Sequence, residues 1–107
     1  MADINVNKEQ LEQLIRGEKP VLVDFWAPWC GYCRRIGPVY DRIAEEHKDS
    51  LTVVKLNIDD EAQLAEAEQI EVVPTLVLYQ NGSAIGSIVA PESKAMIDRF
   101  IQAALVK

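Results

Sequence analysis

The residues best suited to chemistry are Cys30 and Cys33, the two cysteines of the 107-residue chain, in the segment WAPWCGYC at 26–33. Cysteines three positions apart can form and break a disulfide reversibly. A disulfide that closes so short a loop restrains the unfolded chain by only roughly 2 kcal/mol on the loop-entropy formula. Such a bond adds little as a structural cross-link, so the pair is predicted to be redox-active.

The segment after the pair has the pattern of a helix. Apolar residues recur there every three to four positions: Ile36, Val39, Tyr40, Ile43 and Ala44. The cysteines therefore lie at a predicted helix N-terminus, where free backbone N–H groups and the helix dipole stabilise an anion and lower the pKa of a thiol. Cys30, expected to be the more exposed, is the predicted nucleophile, and Cys33, one turn into the helix, is the predicted resolving thiol.

Two other uses of a cysteine pair stay open. A zinc or iron–sulfur site would need two to four more ligands, and the one histidine of the chain, His47, stands far along the same predicted helix. Such a site would require a dimer, and no metal is predicted. A purely structural disulfide is the second alternative, although the short loop disfavours it. His47 has no evident partner nearby in the sequence and is predicted to be solvated, without a role.

Composition indicates one domain, residues 1–107, with 49% hydrophobic residues and so enough apolar material for a core. The net charge of −6 disfavours nucleic acid and anionic membranes as partners. Residues 1–5 carry neither a basic region nor an apolar stretch, so no signal peptide and no membrane segment are predicted, and the cytoplasm is the expected compartment. The chain is also predicted to be a monomer. In a reducing cytosol, a disulfide-competent pair is usually catalytic or redox-sensing.

Helix and strand patterns alternate along the chain, without a repeat or a linker. Strands are predicted at 3–6, 21–26, 51–58, 72–79 and 83–89, the last two joined by a turn at Asn81 and Gly82. The first helix is capped by Asn7 and Gln10 and ends at Gly17, and a long helix runs from the cysteines to about His47 with a kink at Pro38. A short helix capped by Asp59 and Asp60, with Leu64 and Ala67 inward, and a last helix capped by Ser93 complete the chain. This α/β order, βαβαβαββα, predicts parallel units followed by a hairpin.

In motifs, element order and length, the chain resembles the thioredoxin family over nearly all of its residues. The matching segments are VDFWA at 23–27, WCG at 29–31, Cys33, Pro38, KLNID at 55–59, VPTL at 73–76 and Asn81-Gly82. The resemblance implies the thioredoxin fold, a central mixed five-stranded β-sheet flanked by four helices. It also implies dithiol–disulfide exchange with protein substrates.

Asp24 is a carboxylate within an almost wholly apolar strand, at 21–26. Its face could meet solvent, but apolar residues on both faces of the strand favour burial. Burial raises the pKa of a carboxylate, so Asp24 could accept a proton from Cys33 near neutral pH. By resemblance, Asp24 is the buried acid of the family, and Lys55 is its charge partner.

Several residues around the pair are predicted to contact substrate. Proline is tolerated at the first position of a strand, but the resemblance implies a cis bond between Val73 and Pro74. The backbone of Val73 would then face Cys30 and pair with an extended substrate segment. The predicted substrate-contacting residues are Trp29, Gly31, Tyr32, Val73, Pro74 and Ala90.

The resulting mechanism is a disulfide exchange in which Cys30 attacks a protein disulfide and Cys33, deprotonated with help from Asp24, releases the reduced substrate. By resemblance, an NADPH-dependent flavoprotein, thioredoxin reductase, returns the electrons. The chain has no glycine-rich dinucleotide loop, so no cofactor is predicted beyond the Cys30–Cys33 disulfide.

The chain departs from the family pattern at three places. Tyr32 replaces the usual proline between the cysteines, Arg34 replaces a lysine, and Ala90-Pro91 stands where a turn with glycine is usual. Because the residues between the cysteines tune the reduction potential, Tyr32 predicts a less reducing pair. An oxidase, isomerase or glutathione-coupled enzyme is therefore an alternative to a reductase. A binding module within a larger assembly, in which the thiols are secondary, is a third hypothesis.

Overall fold

The computed structural model describes residues 5–105, in which four strands form one mixed sheet. The strands are β1 (Val21–Trp26), β2 (Thr52–Asn57), β3 (Thr75–Gln80) and β4 (Ser83–Val89), in the spatial order β2-β1-β3-β4. β1 pairs in parallel with β2 and antiparallel with β3, and β3 pairs antiparallel with β4. β1, which leads into the cysteines, is therefore a central strand, as predicted.

The described residues contain five helices: α1 (Lys8–Ile15), α2 (Gly31–Arg35), α3 (Gly37–His47), α4 (Ala62–Ala67) and α5 (Lys94–Leu105). The predicted caps of the first and last helices are confirmed. The Asn7 side chain accepts a bond from the N–H of Gln10, whose side chain bonds back to the N–H of Asn7, and the Ser93 hydroxyl accepts a bond from the N–H of Met96. None of the helices within 5–105 is long and apolar enough to cross a membrane.

The two faces of β1 contribute to two separate apolar cores, because side chains alternate along a strand. Val21, Val23 and Phe25 lie in the core beneath α1. Leu22 lies in the other core, against Tyr40 of α3 and Ile97 of α5. Both faces of β1 are covered, which explains the nearly continuous apolar sequence of this strand.

The N-terminal strand predicted at 3–6 lies partly outside the described residues. Within them, Asn5 forms an isolated parallel bridge with Lys55, and the N–H of Val6 donates to the carbonyl of Lys55 at 2.8 Å. A single bridge does not make a strand, so the described sheet has four strands instead of the predicted five. The α/β thioredoxin fold predicted from the sequence is nevertheless the observed one.

The long helix predicted from the cysteines to His47 is two helices, which raises the described helix count from the predicted four to five. The break lies at Ile36, which ends α2 and precedes α3. Pro38 in the first turn of α3 has no N–H, and its ring excludes the carbonyl of a preceding helical turn. The predicted kink is therefore a complete interruption.

Three further boundaries differ from the prediction. The strand predicted at 72–79 begins only at Thr75, and the strand predicted at 51–58 is Thr52–Asn57. The capping of α4 by Asp59 and Asp60 was wrong, since Glu61 is at its N-cap and makes no side-chain capping bond. Leu64 packs against the core beneath α1, as predicted, and Ala65 is buried, whereas Ala67, predicted to point inward, is exposed.

Candidate active site

The cysteine pair lies at the point where β1 ends and α2 begins. A disulfide joins Cys30 and Cys33, whose Cα atoms are 5.3 Å apart. Cys30 is the N-cap of α2, and its Sγ accepts a bond from the N–H of Cys33 at 3.1 Å. The predicted position at a helix N-terminus is confirmed. Cys30 is 8% exposed and Cys33 is 4% exposed, so their accessibility differs in the expected order but only slightly.

Short local contacts hold the turn before the cysteines. The N–H of Cys30 donates to the carbonyl of Ala27 at 3.1 Å, and the Arg34 guanidinium donates to the carbonyl of Pro28 at 2.6 Å. Ala27, Cys30 and Cys33 form a small apolar cluster. Trp26, Tyr32, Ile58 and Val73 pack against this cluster. The Arg34 contact keeps a positive charge next to the pair, as a lysine would.

Asp24 is buried, with 1% of its surface exposed, and its Oδ1 has no hydrogen-bond partner among the described residues. Burial raises its pKa from 3.8 to about 7, and the opposing charge of Lys55 lowers it by a smaller amount. A carboxyl group with this pKa can accept or release a proton near neutral pH. The predicted burial of Asp24 is confirmed.

The face of β1 that carries Asp24 is the face toward α3. Leu22, two residues earlier on the same face, packs against Tyr40 of α3, and the Tyr40 hydroxyl donates to the carbonyls of Leu22 and Val54. Burial first, and then the charge of Asp24, raise the pKa of the Tyr40 hydroxyl well above its ordinary value. The Asp24 carboxyl is therefore close to Tyr40, on the side of the sheet where α2 and α3 lie.

Lys55 pairs with Asp24 in the register of β1 and β2. Its ammonium group lies 5.5 Å from the centroid of a Trp26 ring, a cation–π distance. Within residues 5–105, the structure shows no direct ion pair between Lys55 and Asp24. Lys55 therefore acts on Asp24 through its electric field, which is weaker than a hydrogen-bonded contact.

The backbone of Val73 faces the cysteine pair, as expected. Cys30 Sγ lies 3.6 Å from the carbonyl oxygen of Val73, although the two residues are 43 positions apart. The Val73–Pro74 peptide bond is cis, as predicted. Val73 is half-buried and Pro74 is buried, and β3 begins directly after them.

Trp29 and Gly31 flank Cys30 on the surface. Trp29 is 66% exposed, and its indole N–H donates to a carboxylate oxygen of Asp59 at 3.3 Å. A Cβ added at Gly31 would meet no atom within 4 Å, so packing within this chain does not require glycine there. Both residues are available to a partner, and their contact with substrate stays a prediction.

Tyr32 and Ala90 are brought together by a contact that the sequence did not reveal. The half-buried Tyr32 donates from its hydroxyl to the carbonyl of Pro91 at 2.7 Å. Ala90 has φ of +45°, a left-handed conformation that costs an alanine about 1–2 kcal/mol, and its N–H donates to the carbonyl of Pro74 at 2.8 Å. A buried tyrosine hydroxyl needs a partner, but the sequence did not identify one 59 residues away.

His47, predicted to be solvated and without a partner nearby in the sequence, is half-buried and has a partner on a distant helix. Its Nε2 lies 3.2 Å from Oδ1 of Asp98 on α5. The Lys94 ammonium lies 2.8 Å from Asp98 and 2.6 Å from Glu46, so these four residues form a charged cluster between α3 and α5, here called the α3–α5 cluster. It contains none of the residues around the cysteines, and no role in the reaction is assigned to it.

The arrangement of the pair suits reversible exchange between a dithiol and a disulfide. Two sulfurs lie at a helix N-terminus beside the exposed ring of Trp29, and the strand that leads into them, β1, carries a buried carboxyl with a pKa of about 7. Within residues 5–105, no three histidine, cysteine or acidic side chains are placed to hold a metal ion. The pair itself, as a disulfide, is the redox group.

Comparison with known proteins adds independent evidence. The family model for thioredoxin matches residues 3–103. A thioredoxin from Porphyra purpurea is 41% identical over 87 residues, covering 81% of each chain. A thioredoxin from Alicyclobacillus acidocaldarius is 38% identical over 97 residues, covering 91% of this chain and 92% of the relative. A bifunctional thioredoxin reductase/thioredoxin from Mycobacterium leprae is 42% identical over 86 residues, covering 80% of this chain and 19% of the relative.

Proposed function

The chain belongs to the thioredoxin family and is a thiol–disulfide oxidoreductase, and we propose that it reduces protein disulfides with Cys30 as nucleophile and Cys33 as resolving thiol. The observation that carries the proposal is the Cys30–Cys33 disulfide at the N-terminus of α2. Peptide N–H groups there favour a thiolate over a thiol, which makes the first sulfur the better nucleophile.

The first step is attack of the Cys30 thiolate on one sulfur of a substrate disulfide. An S–S bond forms between Cys30 and the substrate, the substrate S–S bond breaks, and the other substrate sulfur leaves as a thiolate. The second step is attack of Cys33 on the Cys30 sulfur, which releases the second substrate thiolate. The substrate gains two electrons, and this protein is left with its own disulfide.

Asp24 is the proposed proton acceptor for Cys33 in the second step. A base works best when its pKa is near the working pH, and burial brings the pKa of Asp24 to about 7. Lys55 is the proposed charge partner, since its positive charge limits how far burial raises that pKa. The location of Asp24 on the α3 side of β1 supports this role.

The proposed substrate groove runs past the Val73 carbonyl. An extended substrate segment would pair with the backbone of Val73, beside the buried Pro74, in the manner of an added strand. Trp29 would supply an exposed apolar surface next to Cys30, and Gly31 would allow close approach of the substrate backbone. Tyr32 and Ala90 would form the opposite wall.

The proposed electron donor is an NADPH-dependent thioredoxin reductase. One relative carries the name of a bifunctional thioredoxin reductase/thioredoxin, which joins the two activities in one chain and supports this pairing. We place the protein in the cytosol as a single-domain monomer, residues 1–107, with no nucleic-acid or membrane partner. No cofactor besides the Cys30–Cys33 disulfide is proposed.

The test is reduction of insulin disulfides with NADPH and a thioredoxin reductase, followed by NADPH absorbance. We expect turnover with the wild-type protein and none with Cys30→Ser. The Cys33→Ser variant should instead accumulate a mixed disulfide with the substrate, visible by mass spectrometry. Turnover that survives in the Cys30→Ser, Cys33→Ser double variant would contradict the proposal.

A second candidate function rests on Tyr32, which stands where the family usually has proline. A less restricted turn between the cysteines favours a less reducing pair, suited to isomerase, oxidase or glutathione-coupled work. The equilibrium reduction potential in thiol–disulfide buffers separates the candidates. A value near −270 mV supports the reductase, and one near −180 mV supports the isomerase.

A further inference from the structure

We propose that the Tyr32 hydroxyl is a positioning group that holds Ala90 and Pro91 against the cysteine turn and so fixes the substrate groove before a protein disulfide binds. This inference rests on the proposed reductase function. It concerns a residue that acts through its neighbours, since the Tyr32 hydroxyl contacts the Pro91 carbonyl and neither sulfur.

Three separate segments meet around Cys30 and are joined by three contacts. The sulfur of Cys30 lies 3.6 Å from the carbonyl of Val73. The carbonyl of the next residue, Pro74, accepts the N–H of Ala90 at 2.8 Å. The carbonyl of Pro91 accepts the Tyr32 hydroxyl at 2.7 Å. The last contact returns to the cysteine turn and closes a ring of segments around the reactive sulfur.

The Ala90 segment needs external contacts to keep this shape. Ala90 has φ of +45°, which an alanine adopts at a cost, so its own backbone preference opposes the observed conformation. Pairing of Val89 with Thr75 and burial of Pro91 fix its two ends, and two hydrogen bonds hold it further, the Ala90 N–H bond to Pro74 and the Tyr32 bond to Pro91. Loss of the Tyr32 hydroxyl removes the bond to Pro91, which connects this segment to the cysteine turn.

The Tyr32 ring is held independently of its hydroxyl. It packs on the cluster formed by Ala27, Cys30 and Cys33, and the Arg35 guanidinium lies 6.0 Å from its centroid. A Tyr32→Phe variant therefore keeps the ring in place and removes only the bond to Pro91. This substitution isolates the positioning effect from effects on packing.

The test combines two measurements on wild type, Tyr32→Phe and a control, Tyr79→Phe. The Tyr79 hydroxyl likewise donates a hydrogen bond, in its case to the Glu68 side chain, but Tyr79 lies on β3, outside the groove. The first measurement is the single-turnover rate constant for oxidation of the reduced proteins by insulin and by hydroxyethyl disulfide. The second is amide hydrogen exchange of residues 88–93 in the oxidised proteins.

We expect Tyr32→Phe to lower the insulin rate constant about threefold to tenfold, the equivalent of one hydrogen bond, because an unfixed groove must be ordered on binding. The rate constant for hydroxyethyl disulfide should change less than about twofold, because so small a molecule does not need the groove. Exchange at the Ala90 amide should rise in Tyr32→Phe and stay unchanged in Tyr79→Phe.

Two results would overturn the inference: unchanged exchange at residues 88–93 in Tyr32→Phe, or equal slowing with both disulfides. Failure of the proposed function looks different, since reduced wild type would then reduce hydroxyethyl disulfide, becoming oxidised itself, but would leave the disulfides of insulin intact. In that case the exchange data alone decide whether Tyr32 positions the segment.

Discussion

Two aspartates, Asp24 in β1 and Asp98 in the α3–α5 cluster, have opposite pKa shifts. Asp24 is buried in β1, the strand that leads into the cysteine pair, and its Oδ1 has no hydrogen-bond partner among the described residues. Asp98 belongs to the α3–α5 cluster, where it contacts Lys94 and His47 at the surface. Burial raises the pKa of Asp24 to about 7. For Asp98, burial acts in the same direction, but the bonds from Lys94 and His47 outweigh it and lower the pKa.

The difference shows that the buried acid of the active-site strand lowers the free energy of unfolding, whereas the surface cluster does not. An ionised Asp24 destabilises the folded state at neutral pH, whereas the charges of Asp98 and Lys94 satisfy each other with a small gain. A buried acid without a hydrogen-bond partner, on the strand that leads into a cysteine pair, is typical of a functional site, and a surface cluster of paired charges is typical of structure. Substitutions at each site should therefore have opposite effects on stability.

The largest expected effect is on the stability of Asp24→Asn. A folded-state pKa of about 7, against 3.8 when unfolded, means that wild-type stability is greatest below about pH 4, falls as pH rises to about 7, and is then constant. At pH 8 the variant should be more stable than wild type by about 4 kcal/mol, and by less than about 1 kcal/mol near pH 4. Urea unfolding at both pH values measures this.

Asp98→Asn is the matched control for that measurement. Because the folded-state pKa of Asp98 is lowered, its contribution is present above pH 3.8 and is lost as pH falls through the folded-state value. Discounted for its exposure to solvent, the loss at pH 8 should be at most about 1 kcal/mol. If Asp24→Asn and Asp98→Asn both raised, or both lowered, the free energy of unfolding at pH 8, the inferred difference between the two aspartates would be wrong.

The next effect is on the reduction potential, through Tyr32→Pro. Proline at this position restricts the turn between the cysteines, and we expect a more reducing pair by roughly 30 mV, which is about 1.4 kcal/mol for two electrons. Equilibration with dithiothreitol, followed by tryptophan fluorescence, gives the value. Lys94→Ala in the α3–α5 cluster should leave the reduction potential unchanged. A shifted potential in this variant would show that the cluster influences the cysteine pair.

A smaller effect should appear in the pH dependence of Lys55→Leu. Lys55 lowers the pKa of Asp24 against the larger effect of burial, so its removal should move that pKa above 7. The midpoint of the pH profile for the Cys33 step, measured by release of the mixed disulfide in rapid-mixing experiments, should move upward with it. An unchanged midpoint would show that Lys55 does not act on Asp24.

The smallest effect concerns the backbone at Ala90. Glycine adopts a φ of +45° without strain, so Ala90→Gly should increase the free energy of unfolding by about 0.5 to 1 kcal/mol. This figure already subtracts the cost of the greater freedom of glycine in the unfolded chain. The same change at Ala103, within α5, should instead destabilise by about 1 kcal/mol. Thermal unfolding of both variants tests whether the conformation of Ala90 is strained.

Local sequence patterns predicted most of the elements because each depends on neighbouring residues. The capping box at Asn7 and Gln10, the buried strand at 21–26 and the hairpin at Asn81 and Gly82 are such cases. Two of the errors also arise from neighbouring residues. The pattern showed that Pro38 disturbs the helix but not that it divides the helix in two, and it offered Asp59 and Asp60 as caps of α4 where Glu61 takes the N-cap position. The single bridge at Asn5, instead of a fifth strand in the described sheet, differs from these, because it is a contact with the distant Lys55 on β2.

The sequence by itself determined the chemistry: two cysteines at a helix N-terminus and a carboxylate in an apolar strand follow from residue type and spacing. Only the tertiary structure decided how distant segments meet, because contacts across 43 or 59 positions leave no periodic signal in the chain. The Tyr32 bond to Pro91 and the partner of His47 are of this kind, whereas the Val73 carbonyl beside Cys30 was expected only from the family resemblance. They arise from the packing of the sheet against its helices, which brings together residues whose neighbours in sequence give no sign of it.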